Sequence, residues 1–272
     1  MTLPSLVVIS DLDGTLLDHD TYAFDAARPA LERLSSARIP VVLCTSKTRA
    51  ETEPIRGALG NDHPFIVENG GAIVIPRGYF PFSVDVERAE QRESMTLIRI
   101  GDPYAELVSA LERASRESGI AVRGFATMTE LDVARATGLP IEQARLARQR
   151  EFDEPFEIVD DRDPASLFDA IARAGKRWTA GSRFHHITGA NDKARAARIL
   201  IELYRRQLAG VRTIGLGDAP NDVAFLREVD VPIVIASAHA AAVARLVPGA
   251  TITRVPGPSG WSDAVLSILD AA

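Results

Sequence analysis

The feature that most restricts the fold is the stretch Leu6-Val-Val-Ile-Ser-Asp-Leu-Asp-Gly-Thr15. Its short β-branched apolar run reads as a strand buried on both faces, the kind found in parallel sheets. Asp11 and Asp13 follow at the C-terminal end of that strand, where ligands bind in open α/β sheets. Their i, i+2 spacing keeps both carboxylates on one side of an extended chain, and Gly14 then lets the backbone turn. Two adjacent carboxylates repel each other and suit a hard cation, for which Mg²⁺ is the expected choice. The plainer alternative is an Asp-rich turn after a strand.

The first 80 residues alternate strand and helix: strand 6–10, helix 27–37, strand 40–44, helix 48–59, then short strands 65–67 and 72–75 around Glu68-Asn69-Gly70-Gly71. That order predicts a parallel sheet with right-handed crossovers. From about 84 to 189 the chain is richer in charge, with strands expected at 96–100, 121–123, 156–159 and 177–188, and helices at 103–117, 140–150 and 164–174. The α/β rhythm then resumes with helix 192–208, strand 213–216, helix 221–228, strand 233–235, helix 239–246, strand 251–253 and helix 261–270. The expected fold is therefore α/β, a Rossmann-like parallel-sheet core (1–83 and 190–272) carrying an inserted α+β cap domain (84–189).

Composition excludes several classes. A net charge of −6 disfavours a binder of nucleic acid or of an anionic membrane surface. Cys44 is the only cysteine, so neither an internal disulfide nor a cysteine zinc site is expected. The sequence has no apolar run of about 18 residues and no basic, apolar leader, which makes the cytoplasm the expected location; a homodimer is left open. Of 31 basic residues only Lys47, Lys176 and Lys193 are lysine. A chain that otherwise uses arginine would keep lysine where a compact ammonium is needed.

Three further strand ends resemble the first. Thr45-Ser46-Lys47-Thr48 follows the second strand, and a hydroxyl or free helix N–H there can donate to phosphate; Thr45 or Ser46 as a simple helix cap is the alternative. Gly189-Ala-Asn-Asp-Lys193 opens a helix with Asn191 or Asp192 as the cap. Lys193 then sits in the first turn, where the helix dipole disfavours a cation unless an anion lies nearby. Gly217-Asp218-Ala-Pro-Asn-Asp222 supplies another carboxylate, Asp218, while Asn221 and Asp222 cap the next helix or orient Lys193 and metal-bound water.

D-x-D-G-T, a Thr after the second strand, a downstream Lys and G-D-x-x-N-D resemble the haloacid dehalogenase superfamily. The strings "CTSKT", "VENGGAI", "REFDEPF", "GSRFHHITG" and "GLGDAPND" are similar to those of the mannosyl-3-phosphoglycerate phosphatase family. This resemblance implies Asp11 as nucleophile forming an aspartyl-phosphate, Asp13 as general acid and base, and Thr45 and Lys193 on the phosphate oxygens. It also implies Mg²⁺ held by Asp11, the Asp13 carbonyl and Asp218. The implied reaction converts mannosyl- or glucosyl-3-phosphoglycerate to the hexosylglycerate, a compatible solute. Ser46-Lys47 stands where many members of the superfamily branch have Gly-Arg, which leaves the role of Lys47 open.

Candidate substrate contacts are Thr45, Ser46, Lys47, Lys193 and Asn221, with Asn69-Gly70-Gly71 through close backbone approach and Arg150 through a bidentate pair with the glycerate carboxylate. Arg183 and His185 are added from the strand leading back to Lys193. Alternation puts Arg183, His185 and Ile187 on one face and Phe184 and His186 on the other, and which face meets substrate is open. Competing readings are a broader sugar phosphatase, a phosphomutase, or a non-catalytic phosphometabolite binder, the last disfavoured because Asp11, Asp13, Lys193 and Asp218 are all present. Cap closure is expected to hinge near 82–86 and 188–191.

Overall fold

A computed structural model describes residues 5–159, 161–180 and 184–271. The strands are β1 (Leu6–Ser10), β2 (Val41–Cys44), β3 (Phe65–Val67), β4 (Ala72–Pro76), β5 (Ala89–Gln91), β6 (Met95–Arg99), β7 (Val122–Gly124), β8 (Asp153–Ile158), β9 (Arg177–Ala180), β10 (His185–Thr188), β11 (Arg212–Gly217), β12 (Val231–Val234) and β13 (Thr251–Ile252). The helices are α1 (Arg28–Ser36), α2 (Arg49–Leu59), α3 (Tyr104–Ser118), α4 (Glu130–Thr137), α5 (Ile141–Ala147), α6 (Ala165–Arg173), α7 (Lys193–Gln207), α8 (Val223–Leu226), α9 (Ala240–Leu246) and α10 (Gly257–Ala271). None of the described helices is long and apolar enough to cross a membrane.

The core is a sheet of nine strands in the order β13-β12-β11-β1-β2-β3-β4-β6-β5. From β13 to β3 the pairings are parallel. Strand β1 lies at the centre and is buried on both faces: Leu6 and Val8 pack on one side with Leu34 and Trp261, Val7 and Ile9 on the other with Leu200 and Phe225. Because β1, β2 and β11 run in one direction, Asp11, Thr45 and Asp218 are delivered to the same edge of the sheet.

Strand 96–100 corrects the expected insert boundary. It lies in the core sheet as β6, antiparallel to β4, with β5 beyond it. The β3–β4 hairpin reverses direction and leaves β4 an open hydrogen-bonding edge, which costs free energy unless paired. Leu97 and Ile98 then extend the two apolar faces of the core.

The second sheet is antiparallel, in the order β7-β8-β10-β9. Within 177–188, expected as one strand, 177–180 and 185–188 are two strands, β9 and β10, paired antiparallel with Ile187 opposite Trp178. Helices α3 and α6 cover one face around Phe156 and Ile187. Helices α4 and α5 gather around Phe125 and Met128, with Phe184 packed against them. Helix α4 lies in a stretch for which no element was expected. It carries a capping box between Thr129 and Asp132.

Candidate active site

Lys193 is the best-defined group of the site. Asp192 caps α7 through the N–H groups of Ala194 and Arg195, so the lysine stands in the first turn, as its place in the sequence implied. Its Nζ donates to Oδ1 of Asp11 at 2.9 Å and to Oδ1 of Asp222 at 2.8 Å. All three side chains are buried. Burial alone would lower the lysine pKa, but Asp11 and Asp222 drive it well upward. The dipole argument therefore points to protein carboxylates as the first anions offsetting the misplaced cation.

Asp222 is fully engaged. Its Oδ2 accepts the N–H groups of Asp218 and Ala219, both at 3.1 Å. Asp222 thus shapes the 218–222 turn and holds Lys193. Asp218 accepts a 3.2 Å hydrogen bond from Thr15 Oγ1, a contact sequence reasoning missed although Thr15 belongs to the first motif. Gly14, at φ 75°, lies so close that a Cβ there would be 2.9 Å from Asp218 Oδ2. Glycine at this turn is what allows the first and last motifs to meet.

The remaining core motif closes the site. Thr45 is buried, and its Oγ1 accepts the N–H of Lys47 at 3.1 Å. The cap of α2 is Thr48, in a capping box with Glu51, and neither Thr45 nor Ser46. Lys47 Nζ lies 3.0 Å from Asp13 Oδ2 and 4.7 Å from the centroid of the Tyr22 ring. Lys176, the third lysine, pairs with Asp102 near the crossing into the second sheet. Each lysine therefore meets a carboxylate, two of them at the motif aspartates.

Several expected substrate contacts have other surroundings. A Cβ on Gly70 would lie 2.3 Å from the Asp192 backbone, and one on Gly71 would lie 2.5 Å from Phe152 Cβ. These glycines make room for protein rather than for ligand. Asn69 Oδ1 accepts from Asn221 Nδ2 at 3.1 Å, so that pair sits together at the rim. The Arg150 side chain is 9% exposed: Nη1 donates to Ser46 O at 3.2 Å and pairs with Asp153 at 3.5 Å, and Nε donates to Ala147 O at 2.9 Å. His185 is turned toward Phe156 and Phe168, inside the α3/α6 layer. His186, on the opposite face, bonds Asp153 through Nδ1 at 2.9 Å. Arg183 lies outside the described residues.

Glu68 was missed as a functional group. Its buried carboxylate accepts the N–H groups of Glu151 at 2.9 Å and Phe152 at 2.8 Å, and Asn191 Nδ2 bridges Glu68 O and Phe152 O. This clasp joins the β3–β4 hairpin to the start of β8 beside the site. An acid following the apolar run Phe65-Ile-Val67 was the available signal.

The profile of the haloacid dehalogenase-like hydrolases matches residues 8–112. A glucosyl-3-phosphoglycerate/mannosyl-3-phosphoglycerate phosphatase from Methanococcoides burtonii is 39% identical over 269 residues, 97% of each chain. The chain belongs to the mannosyl-3-phosphoglycerate phosphatase family of haloacid dehalogenase-like hydrolases. A mannosyl-3-phosphoglycerate phosphatase from Pyrococcus horikoshii is 33% identical over 232 residues, 85% of this chain and 90% of that one. In fold, the chain is similar to a crystal structure from Thermoplasma acidophilum, with a TM-score of 0.68, 16% identity and coverage of 98% and 99%.

Family membership implies a divalent cation, and the residues present fit one. Asp11, Asp218 and Asp222 each place a carboxylate oxygen within 4.8 Å of the others. The pKa of Asp11 is pushed well up, by burial first and then Asp222; that of Asp218 rises to about 6 for the same reasons. Asp13 Oδ1 is buried with no hydrogen-bond partner. The carboxylates outnumber the one ammonium among them, and hard oxygen donors suit Mg²⁺. With Asp222 committed to Lys193 and two N–H groups, Asp11 and Asp218 are the side chains that would hold the ion, the Asp13 carbonyl being the backbone donor the family resemblance implies.

Proposed function

We propose that this protein hydrolyses the 3-phosphate of glucosyl- and mannosyl-3-phosphoglycerate, with Mg²⁺ as its cofactor. The observation that carries this reading is the convergence of Asp11, Lys193, Asp218 and Asp222 at one sheet edge, in a chain 39% identical to a phosphatase named for both substrates. An Asp11 carboxylate oxygen attacks phosphorus and the P–O bond to the glycerate breaks, leaving an aspartyl-phosphate. Asp13 gives its proton to the departing alkoxide. Asp13 then takes a proton from water as that water attacks phosphorus, and the Asp11–phosphate bond breaks. Thr45 and Lys193 bind phosphoryl oxygens, and Asp222 keeps Lys193 aimed at Asp11. The bound cation supplies charge neutralisation between anionic nucleophile and anionic phosphate.

Lys47, whose Nζ lies 3.0 Å from Asp13 Oδ2, is assigned to the glycerate carboxylate. Residues from about 101 to 189 act as the specificity cap of a cytoplasmic enzyme. Phosphate release from both hexosyl-3-phosphoglycerates with Mg²⁺ tests the reading. Release from neither, with ready hydrolysis of other sugar phosphates, overturns it.

A further inference from the structure

Strand β1 ends in a polar residue that its apolar pattern does not require. Leu6, Val8 and Ser10 alternate onto the face packed by α1 and α10, and Ser10 is fully buried there. A hydroxyl in such surroundings costs free energy unless it is bonded. Ser10 Oγ donates to the main-chain O of Asp11 at 2.7 Å and accepts from Trp261 Nε1, on α10, at 2.9 Å. Trp261 is fully buried as well.

The direction of both bonds is forced by the groups that make them. An indole N–H only donates, a peptide carbonyl only accepts, and a serine hydroxyl has one proton. Trp261 occupies the serine oxygen, and the single proton goes to Asp11 O. From the other side, the Asp11 N–H donates to Leu216 O on β11 at 2.9 Å. The main chain of Asp11 is therefore held at its amide by β11 and at its carbonyl, through Ser10, by α10. Asp218 has a related contact, its O accepting from Ser237 Oγ at 2.8 Å, but Ser237 is exposed, where water competes for the bond. The Ser10 bond is dry.

Packing alone does not account for the pair. Alanine at 10 and phenylalanine at 261 would suit an apolar core, and exchanging two hydrogen-bonded partners for apolar groups of like shape is close to neutral for stability. What the polar pair adds is a fixed Asp11 peptide. We propose that Ser10 and Trp261 are positioning residues, a buried brace that sets the Asp11 main chain so that its carboxylate meets phosphorus in line. The inference rests on the proposed function, in which Asp11 is the nucleophile. Both side chains act through Asp11. Misplacing a reacting atom by about 1 Å can slow the chemical step on the order of 10²-fold. The contacts that bind substrate stay in place, so the loss falls on kcat rather than on KM.

The test measures kcat and KM for mannosyl-3-phosphoglycerate with Mg²⁺, and thermal melts show which variants fold. Ser10→Ala removes the donor to Asp11 O. Trp261→Phe keeps an aromatic ring in the core and frees the serine hydroxyl to turn. Each is expected to lower kcat by about tenfold or more, with KM within about threefold of wild type. Ser10→Thr keeps the hydroxyl on a β-branched residue suited to a strand, and is expected to restore most of kcat. A kcat within about twofold of wild type in either folded variant overturns the proposal. A loss in Ser10→Ala that Ser10→Thr does not recover is a packing effect and overturns it too. Should Ser10→Ala not fold, Trp261→Phe decides by the same measure. Wild-type protein that leaves the hexosyl substrate intact overturns the parent reading and this one with it, whereas wild-type hydrolysis with unimpaired variants overturns the brace alone.

Discussion

Lys193 and Asp11 form a buried ion pair at 2.9 Å, although 182 residues separate them in the chain. The pair joins the end of β1 to the start of α7, and Asp222 takes a second proton of the same ammonium. The charge that organises the phosphate site is thereby part of the core's stability.

Lys193→Met would strand Asp11 and Asp222 in a dry site. Removing one partner of such a pair costs about 3–5 kcal/mol, so denaturant melts should show a large loss together with loss of turnover. Lys193→Arg should not rescue either, because the planar fork does not fit a site built around an ammonium.

Asp11→Asn keeps the shape and removes the proposed nucleophile. Turnover should fall by on the order of 10⁴-fold, with an unchanged circular dichroism spectrum. The Asp218 pKa, raised by burial and Asp222, should stay raised in this variant.

Mg²⁺ should stabilise the fold as well as activate it. At about 100 times its dissociation constant, a ligand of the native state adds about 2.7 kcal/mol, visible as a Mg²⁺-dependent rise in Tm. Asp218→Asn should lose most of that rise, whereas Asn69→Ala, at the rim, should keep it.

The Glu68 clasp predicts a pH signature. Burial, opposed by Arg150, pushes its carboxyl from an ordinary 4.5 to about 8. Between those values the folded chain keeps a proton that the unfolded chain has lost, so stability is full below 4.5 and is lost as pH rises through about 8. Glu154, raised to about 7 mainly by burial, adds to the same slope. Glu68→Gln should flatten the fall of Tm across this window while costing about 1–3 kcal/mol at its acid end.

Cap motion should concentrate at 100–103 and 188–192 rather than at 82–86, which precedes two strands of the core sheet. Hydrogen exchange with and without substrate analogue should show protection gained at these crossings and at the Glu151 and Phe152 amides.

Much of the catalytic core was legible in the sequence. An apolar run ending in Asp11-Leu-Asp13, a hydroxyl after β2 and Gly217-Asp218 at the end of β11 each declare a strand terminus, and parallel pairing brings such termini together whatever the connections. What lies between the termini was decided by tertiary structure. A two-residue period separates His185 from His186 without saying which face turns to α3 and α6. Paired glycines signal close approach, but only the packing shows that Gly70 meets Asp192. Nothing local assigns residues 89–99 to the core sheet, binds Glu68 to residues 151–152, or sets Tyr22 over Lys47. Periodicity and turn chemistry act over a few residues, and such local rules determined where the chemical groups leave the sheet. Which distant surfaces fill one another's space is fixed only when the whole chain is packed.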